Sequence, residues 1–349
     1  MIMKKIILSL FVALSALLQA QVFTHKISPG EELSSANAVV YALPQLVFKI
    51  DVWVEETHSI PGPYASYANR LLGLSDLITS DSKSYHIKSV ALKSDYIADP
   101  NQLYYTELGD VSGKSDKSRF LQMNEAGLFG GFSPMEQNNS NSTTHVVVEK
   151  VRTGIPDFRY FADANLIEKV DAALAYMVIR KNRIELISGF QEVAYPVGTF
   201  EIMNQELRQM EDDYIALFAG KKLKSDIHYV FFYTPSADQP NIIAPIFKFS
   251  EDLGLKYLST SGGEKVSLAI KSNGLAEKLH DTNLSGVVSG LIYRFPETAE
   301  VWVKYGRKEF DKQMITIPQL GRLQNVRMGN HIFELHTKTG GLKTLEIRE

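Results

Sequence analysis

The 349-residue chain contains no cysteine. That single absence removes a disulfide framework, a lipid anchor on cysteine, a Cys-ligated zinc and a cysteine nucleophile. Stability must then come from burial of apolar surface. A chain that is 44% hydrophobic, with 16 Tyr and 18 Phe, has the material for a core. Catalytic signatures are missing as well. There is no Gly-x-Ser-x-Gly elbow, no His-Glu-x-x-His, no Walker loop and no Gly-x-Gly-x-x-Gly turn. The glycine-rich STSGGEK at 259–265 lacks the spacing of a phosphate loop and reads as a hairpin turn. Beyond residue 20, no apolar run is long enough to span a bilayer. Positive charge is in deficit too. Once Lys4 and Lys5 are set aside, 35 basic residues face 40 acidic ones, a net charge of −5 that argues against a nucleic-acid partner.

What is present begins with MIMKKIILSLFVALSALLQA. Two lysines, a short apolar run and small residues before Gln21 are the parts of a secretory signal peptide, expected over residues 1–20. The remaining 329 residues are expected to lack a transmembrane span.

Residues 37–59 (NAVVYALPQLVFKIDVWVEETHS) are rich in Val, Ile, Phe and Trp, and the alternation from Val47 to Val54 reads as a half-buried strand, with Pro44 marking its start or an edge. Shorter strands are expected at 84–93, 102–107 and 144–151, with a polar low-complexity loop between the last two. The middle is helical. Asp163 can cap a helix whose stripe is Leu166, Val170, Leu174, Met177, Ile184 and Ile187. A second helix carries Phe200, Met203, Leu207, Met210, Tyr214 and Leu217 at alternating intervals of three and four, and Gly220 stops it. Both stripes are expected to face the core. From about Lys224 the period becomes two, with at least six short strands and a C-terminal hairpin about Gly340 and Gly341.

The expected architecture is therefore α+β, antiparallel β domains with a sandwich-like C-terminal part, joined by a central helical hairpin. The expected divisions are 1–20 signal peptide, 21–155 N-terminal β-rich α+β domain, 156–222 helical hairpin and 223–349 C-terminal antiparallel β domain.

Candidate chemistry is sparse. Asp281, Asn283, Ser285 and Gly286 match part of a calcium loop, but Ile292 stands where the bidentate acid belongs. His331 and His336 are five apart in a strand and project to opposite faces; His58, His86, His145 and His228 are scattered and read as surface or hydrogen-bonded residues. Glu192 beside Tyr195, or Asp212 with Asp213, are carboxylate pairs of the kind any chain with 40 acids contains, and they read as solvated surface. Trp53 and Trp302 sit among apolar strand residues and are expected in the core. No catalytic residue, cofactor or metal ligand is assigned.

The most distinctive stretch is IPGPYASYANRLLGLSDLI at 60–78. Pro61-Gly62-Pro63 turns the chain out of a strand, and Pro63 suits the first turn of a short helix from about Tyr64 to Leu72. Pro61, Gly62, Pro63, Tyr64 and Tyr67 are the candidate interaction surface.

Three segments in order resemble one family: YALPQLVFKIDVWVEE running into GPYASYANRLLGL, then ISGFQEVAYPVGTFEIMNQELRQMEDDYIALFAG, then YRFPETAEVWV followed by IPQLGRL. The chain is similar to exported proteins of Bacteroidota grouped as domain of unknown function 4831. The resemblance implies export and residence in the cell envelope, and it carries over no catalytic residue. The resulting expectation is a periplasmic or outer-membrane-associated protein, non-enzymatic, that binds envelope protein partners. The alternative is a glycan-binding module or glycan-active hydrolase. Oligomeric state is open at this stage.

Overall fold

A computed structural model describes residues 22–28, 31–32, 38–107, 146–147, 168–188, 198–280, 286–327 and 331–347. In chain order its strands are β1 (Phe23–Lys26), β2 (Ala38–Ile60), β3 (Ser82–Glu107), β4 (Val146–Val147), β5 (Lys221–Tyr233), β6 (Asn241–Ser250) and β7 (Gly254–Lys256). They continue as β8 (Glu264–Ser272), β9 (Val288–Ser289), β10 (Leu291–Tyr305), β11 (Lys308–Val326), β12 (His331–Leu335) and β13 (Leu342–Ile347). Three helices are described: α1 (Ala68–Leu72), preceded by a 3-10 turn at Ala65–Tyr67, α2 (Lys169–Ser188) and α3 (Thr199–Ala219). The expected leader, Asp163, Leu166, the loop at 110–143, most of 144–151, Glu192 and Asp281, Asn283 and Ser285 all lie outside the described residues.

The strands form a six-stranded sheet in the order β4-β5-β2-β3-β1-β9, a five-stranded sheet β11-β10-β8-β6-β7 and the β12-β13 hairpin. Every pairing is antiparallel. The fold is α+β, with the two larger sheets packed face to face. The alternation in β2 explains why: Leu46, Phe48, Ile50, Val52 and Val54 are all at most 1% exposed and point to one side. They meet Phe247 and Phe249 of β6, Leu268 and Ile270 of β8, and Val301 and Val303 of β10 in one buried cluster. The Phe231 and Phe247 rings stack across the two sheets with centroids 4.8 Å apart. This core draws on residues 46 to 320, on both sides of the helices in sequence.

Proline hid the length of the strands. The segments expected separately at 84–93 and 102–107 are one strand, β3, because Pro100 falls in a bulge: the register with β2 jumps between Ala42 and Pro44. Pro44 lies on a stretch of β2 that, among the described residues, pairs with β3 alone, since β5 pairs with β2 from Phe48 onward. Likewise Pro296 sits in a register shift within β10, which joins two strands expected to be separate. STSGGEK is not a hairpin turn. It leads from β7 to β8, two strands that each pair with β6 and not with one another.

Polar side chains stitch the sheets where strands leave backbone groups open. Gln319, itself 5% exposed, accepts the Leu46 N–H at 2.9 Å and donates to the Leu46 C=O at 2.7 Å, taking the place of a neighbouring strand. The Tyr41 hydroxyl donates to the Ile292 carbonyl at 2.9 Å and accepts the Ile292 N–H at 3.0 Å. Arg294 and Asp99 form a buried ion pair at 3.7 Å, and Arg294 also donates to the Pro44 carbonyl at 3.1 Å. Its surroundings push the Tyr104 hydroxyl up to about 12, through burial first.

Candidate functional sites on the helical arm and the outer sheet face

The helices form an arm on one end of the six-stranded sheet. β2 ends at Ile60, and the Pro61-Gly62-Pro63 turn carries the chain directly under the C-terminus of α3. The Tyr64 N–H donates to the Leu217 carbonyl at 2.8 Å, and the Ile78 N–H donates to the Ala219 carbonyl at 2.9 Å. These bonds satisfy carbonyls that a helix end leaves without intrahelical partners. Gly62 is required by contact: a Cβ there would stand 2.5 Å from the Leu217 carbonyl oxygen and 2.7 Å from that of Ala216. Gly220 then ends α3 at a φ of 84° and passes the chain straight into β5.

The 60–78 stretch forms the helix its sequence announces, a 3-10 turn running into α1. Its apolar side packs with the arm in a cluster of Ala68, Ala172, Ala173, Leu217 and Phe218, flanked by Tyr64, Leu71, Leu72 and Tyr214. The Tyr64 ring lies 5.6 Å from that of Phe218, and the Lys169 ammonium sits 4.4 Å over the Tyr67 ring. Of the candidate interaction residues, Gly62 is buried, Pro61, Tyr64 and Tyr67 are half-buried, and Pro63 is exposed. Together they clamp the base of the arm.

The stripe expected to bury α2 does the opposite. Val170, Leu174, Met177, Ile184 and Ile187, with Val178, are 44% to 55% exposed. The side of α2 that is buried consists of Ala172, Ala173, Tyr176, Ile179 and Leu186. Across the helix pair, Arg183 bonds Glu211 of α3. The helix is thus apolar on two opposite sides, so periodicity alone could not say which side the protein uses. On α3 the expected stripe is graded. Leu217 is 1% exposed at the base, Met203, Leu207 and Tyr214 are half-buried, and Met210 and Phe200 are open at 39% and 36%.

A groove of about 510 Å³ runs along this open side, lined by Leu72, Tyr176, Met177 and Ile184 with Arg180 and Glu185. The charges differ between the helices. α2 has Lys169, Arg180, Lys181 and Arg183 against Asp171 and Glu185, whereas α3 has Glu201, Glu206, Glu211, Asp212 and Asp213 against Arg208. The carboxylate pair considered on α3 is divided: Asp213 meets Lys221 at 3.5 Å, and Asp212 is exposed.

A second cluster lies on the outer face of the six-stranded sheet. Asp51 is 4% exposed there, bonded by His228 Nε2 at 3.0 Å and by the Lys93 ammonium at 2.9 Å. Burial alone would raise the Asp51 carboxyl. The bonds from Lys93 and His228, with the charges of Lys93 and Lys49, outweigh it and hold the group below its ordinary value. His228 stacks flat on Trp53, its directly opposite neighbour on β2, at 4.1 Å and 8°. The cluster pins the indole and pairs a buried carboxylate. His25 and His58 likewise bond Glu31 and Asp81 at 2.8 Å and 2.9 Å, as scattered strand histidines commonly do.

Neither tryptophan is in the core. Trp53 and Trp302 alternate with the core residues Val52, Val54, Val301 and Val303, and so both project from the outer faces, half-buried. Lys312 covers Trp302 at 5.0 Å. Apolar neighbours in sequence were a poor guide here because in a strand adjacent residues face opposite ways.

Fold and site together define an antiparallel β-sandwich bearing a two-helix arm with an open apolar face. Over residues 37–339 the chain matches the family described as Domain of unknown function (DUF4831), and it belongs to that family. No curated protein and no solved structure matches it. Among the described residues, no helix is long and apolar enough to cross a membrane.

Proposed function

We propose that this protein is an exported envelope protein, periplasmic or outer-membrane-associated, that works by docking another macromolecule through its helical arm. One observation carries the reading: α2 is apolar on two opposite sides, and the apolar side chains of its outward side stay about half exposed. The inward side is covered by the protein's own fold, and contiguous exposed apolar surface of the kind left on the outward side marks interaction sites on soluble proteins. The N-terminal leader pattern and the resemblance to exported Bacteroidota proteins support the compartment. The groove supports binding over glycoside hydrolysis, because Glu185 is the one carboxylate among the described residues of its lining and a glycosidase requires two.

The test is chemical crosslinking in intact cells, comparing the native chain with a Leu174→Gln/Ile184→Gln variant. The native chain is expected to yield larger crosslinked species in the envelope fraction, and the variant to lose them while keeping its thermal midpoint. Free monomer from both chains, or recovery in the cytoplasm, contradicts the reading.

A further inference from the structure

The outward face of α2 has a definite spacing. Val170, Leu174, Met177, Lys181, Ile184 and Ser188 follow at intervals of four, three, four, three and four, the seam of a coiled coil. We propose that α2 pairs in parallel with α2 of a second copy of this chain. The inference rests on the docking reading above and names the occupant.

In this heptad frame Leu174 and Lys181 take the a positions, and Val170, Met177 and Ile184 the d positions. Arg180 falls at g, and Val178 and Glu185 at e. Each of the apolar seam residues is at least 44% exposed, so all are available to a partner helix. Charge then sets the orientation. In a parallel pair a g residue meets the e residue five positions on in the other strand, and this sets Arg180 against Glu185 of the second copy, twice by symmetry. An antiparallel pair centred on Met177 and Val178 brings like flanks together and sets Asp171 near Glu185 of the second copy, acid against acid. Lys181 at a single a position fixes register and a two-stranded state at some cost in stability.

The neighbouring surfaces agree. α3 lies on the opposite side of α2, held by the Arg183–Glu211 pair, and leaves the seam clear. A bilayer is the less favoured occupant. α3 brings five acids against one base to the same arm, which repels anionic headgroups.

The absence of native cysteine allows a direct test. Single Leu174→Cys and Ile184→Cys variants of the purified protein are oxidised, and the native protein is examined by sedimentation equilibrium and by flotation with anionic vesicles. The parallel pair predicts a native dimer, with each variant forming a disulfide to its own kind. Arg180→Glu or Glu185→Arg alone should weaken the dimer about tenfold, and an equimolar mixture of the two variants should restore it, because both g-to-e contacts become attractive again. A monomer that floats with vesicles overturns the pairing in favour of a bilayer. A monomer that is crosslinked in cells to a different protein also overturns the pairing but keeps the docking reading. A dimer without either disulfide refutes the α2 seam, and a monomer with no cellular crosslink refutes both proposals.

Discussion

Replacing Gln319 with leucine isolates the device that joins the two sheets. Leu46 is fully buried, and both its backbone groups are bonded to the Gln319 amide, at 2.9 Å and 2.7 Å. β5 begins pairing with β2 at Phe48, so among the described residues no strand stands ready to replace the amide. In Gln319→Leu, one N–H and one C=O are left buried without partners, at about 1–3 kcal/mol each. The leucine side chain recovers about 1 kcal/mol through extra apolar burial. The net loss is about 1–5 kcal/mol. With a urea m-value of about 3 kcal/mol/M for a chain of this size, the midpoint should fall by roughly 0.3–1.7 M at unchanged m. The assay is urea unfolding followed by tryptophan fluorescence and by circular dichroism, with coincident curves. A midpoint shift below about 0.3 M at unchanged m would show that Gln319 does not substitute for a strand, and the explanation of the open β2 edge would be wrong.

Other consequences are equally specific. Gly62→Ala forces a Cβ against the Leu217 and Ala216 carbonyls; a loss of about 1–3 kcal/mol and faster proteolysis within α2 and α3 are expected. Unchanged cleavage would mean that the turn does not clamp the arm. Tyr41→Phe removes a hydroxyl that both donates to and accepts from the Ile292 backbone, and should cost about 1–3 kcal/mol in the same urea assay. For Asp51, whose folded-state value is depressed, the stabilisation is present above the ordinary aspartate range near 3.9 and is lost as pH falls through the lower folded value. The native chain should therefore lose stability more steeply below about pH 4 than Asp51→Asn, and parallel pH profiles would refute the role given to Lys93 and His228.

Much of the fold was legible in the sequence because two periods change cleanly. Alternation in Val47–Val54 located β2, three-four spacing located both long helices, and Gly220 and Gly340 marked real ends. Strand continuity was not legible. Separate strands were expected on either side of Pro100 and of Pro296, yet bulges absorb both prolines, and whether a bulge exists depends on the partner strand. The outward tryptophans were misread for a related reason, since burial in a strand follows parity and not composition. Helix α2 is the most instructive case. Its stripe is real, but Ala172, Tyr176, Ile179 and Leu186 form a second one, and only the position of α3 and Phe218 decides which is inward. The candidate site was therefore visible as spacing and hidden as exposure. A helix apolar on two sides was the available signal.

The central claim is that the outward face of the arm is an occupied surface in the cell. A photo-crosslinking residue introduced in turn at Leu174, Ile184 and Met314 tests it most directly, because Met314 is an equally exposed apolar residue on β11 of the sandwich, 61% open. Strong adducts of higher mass are expected from positions 174 and 184 and none from 314. Adducts from 314 alone, or from none of the three, would contradict it.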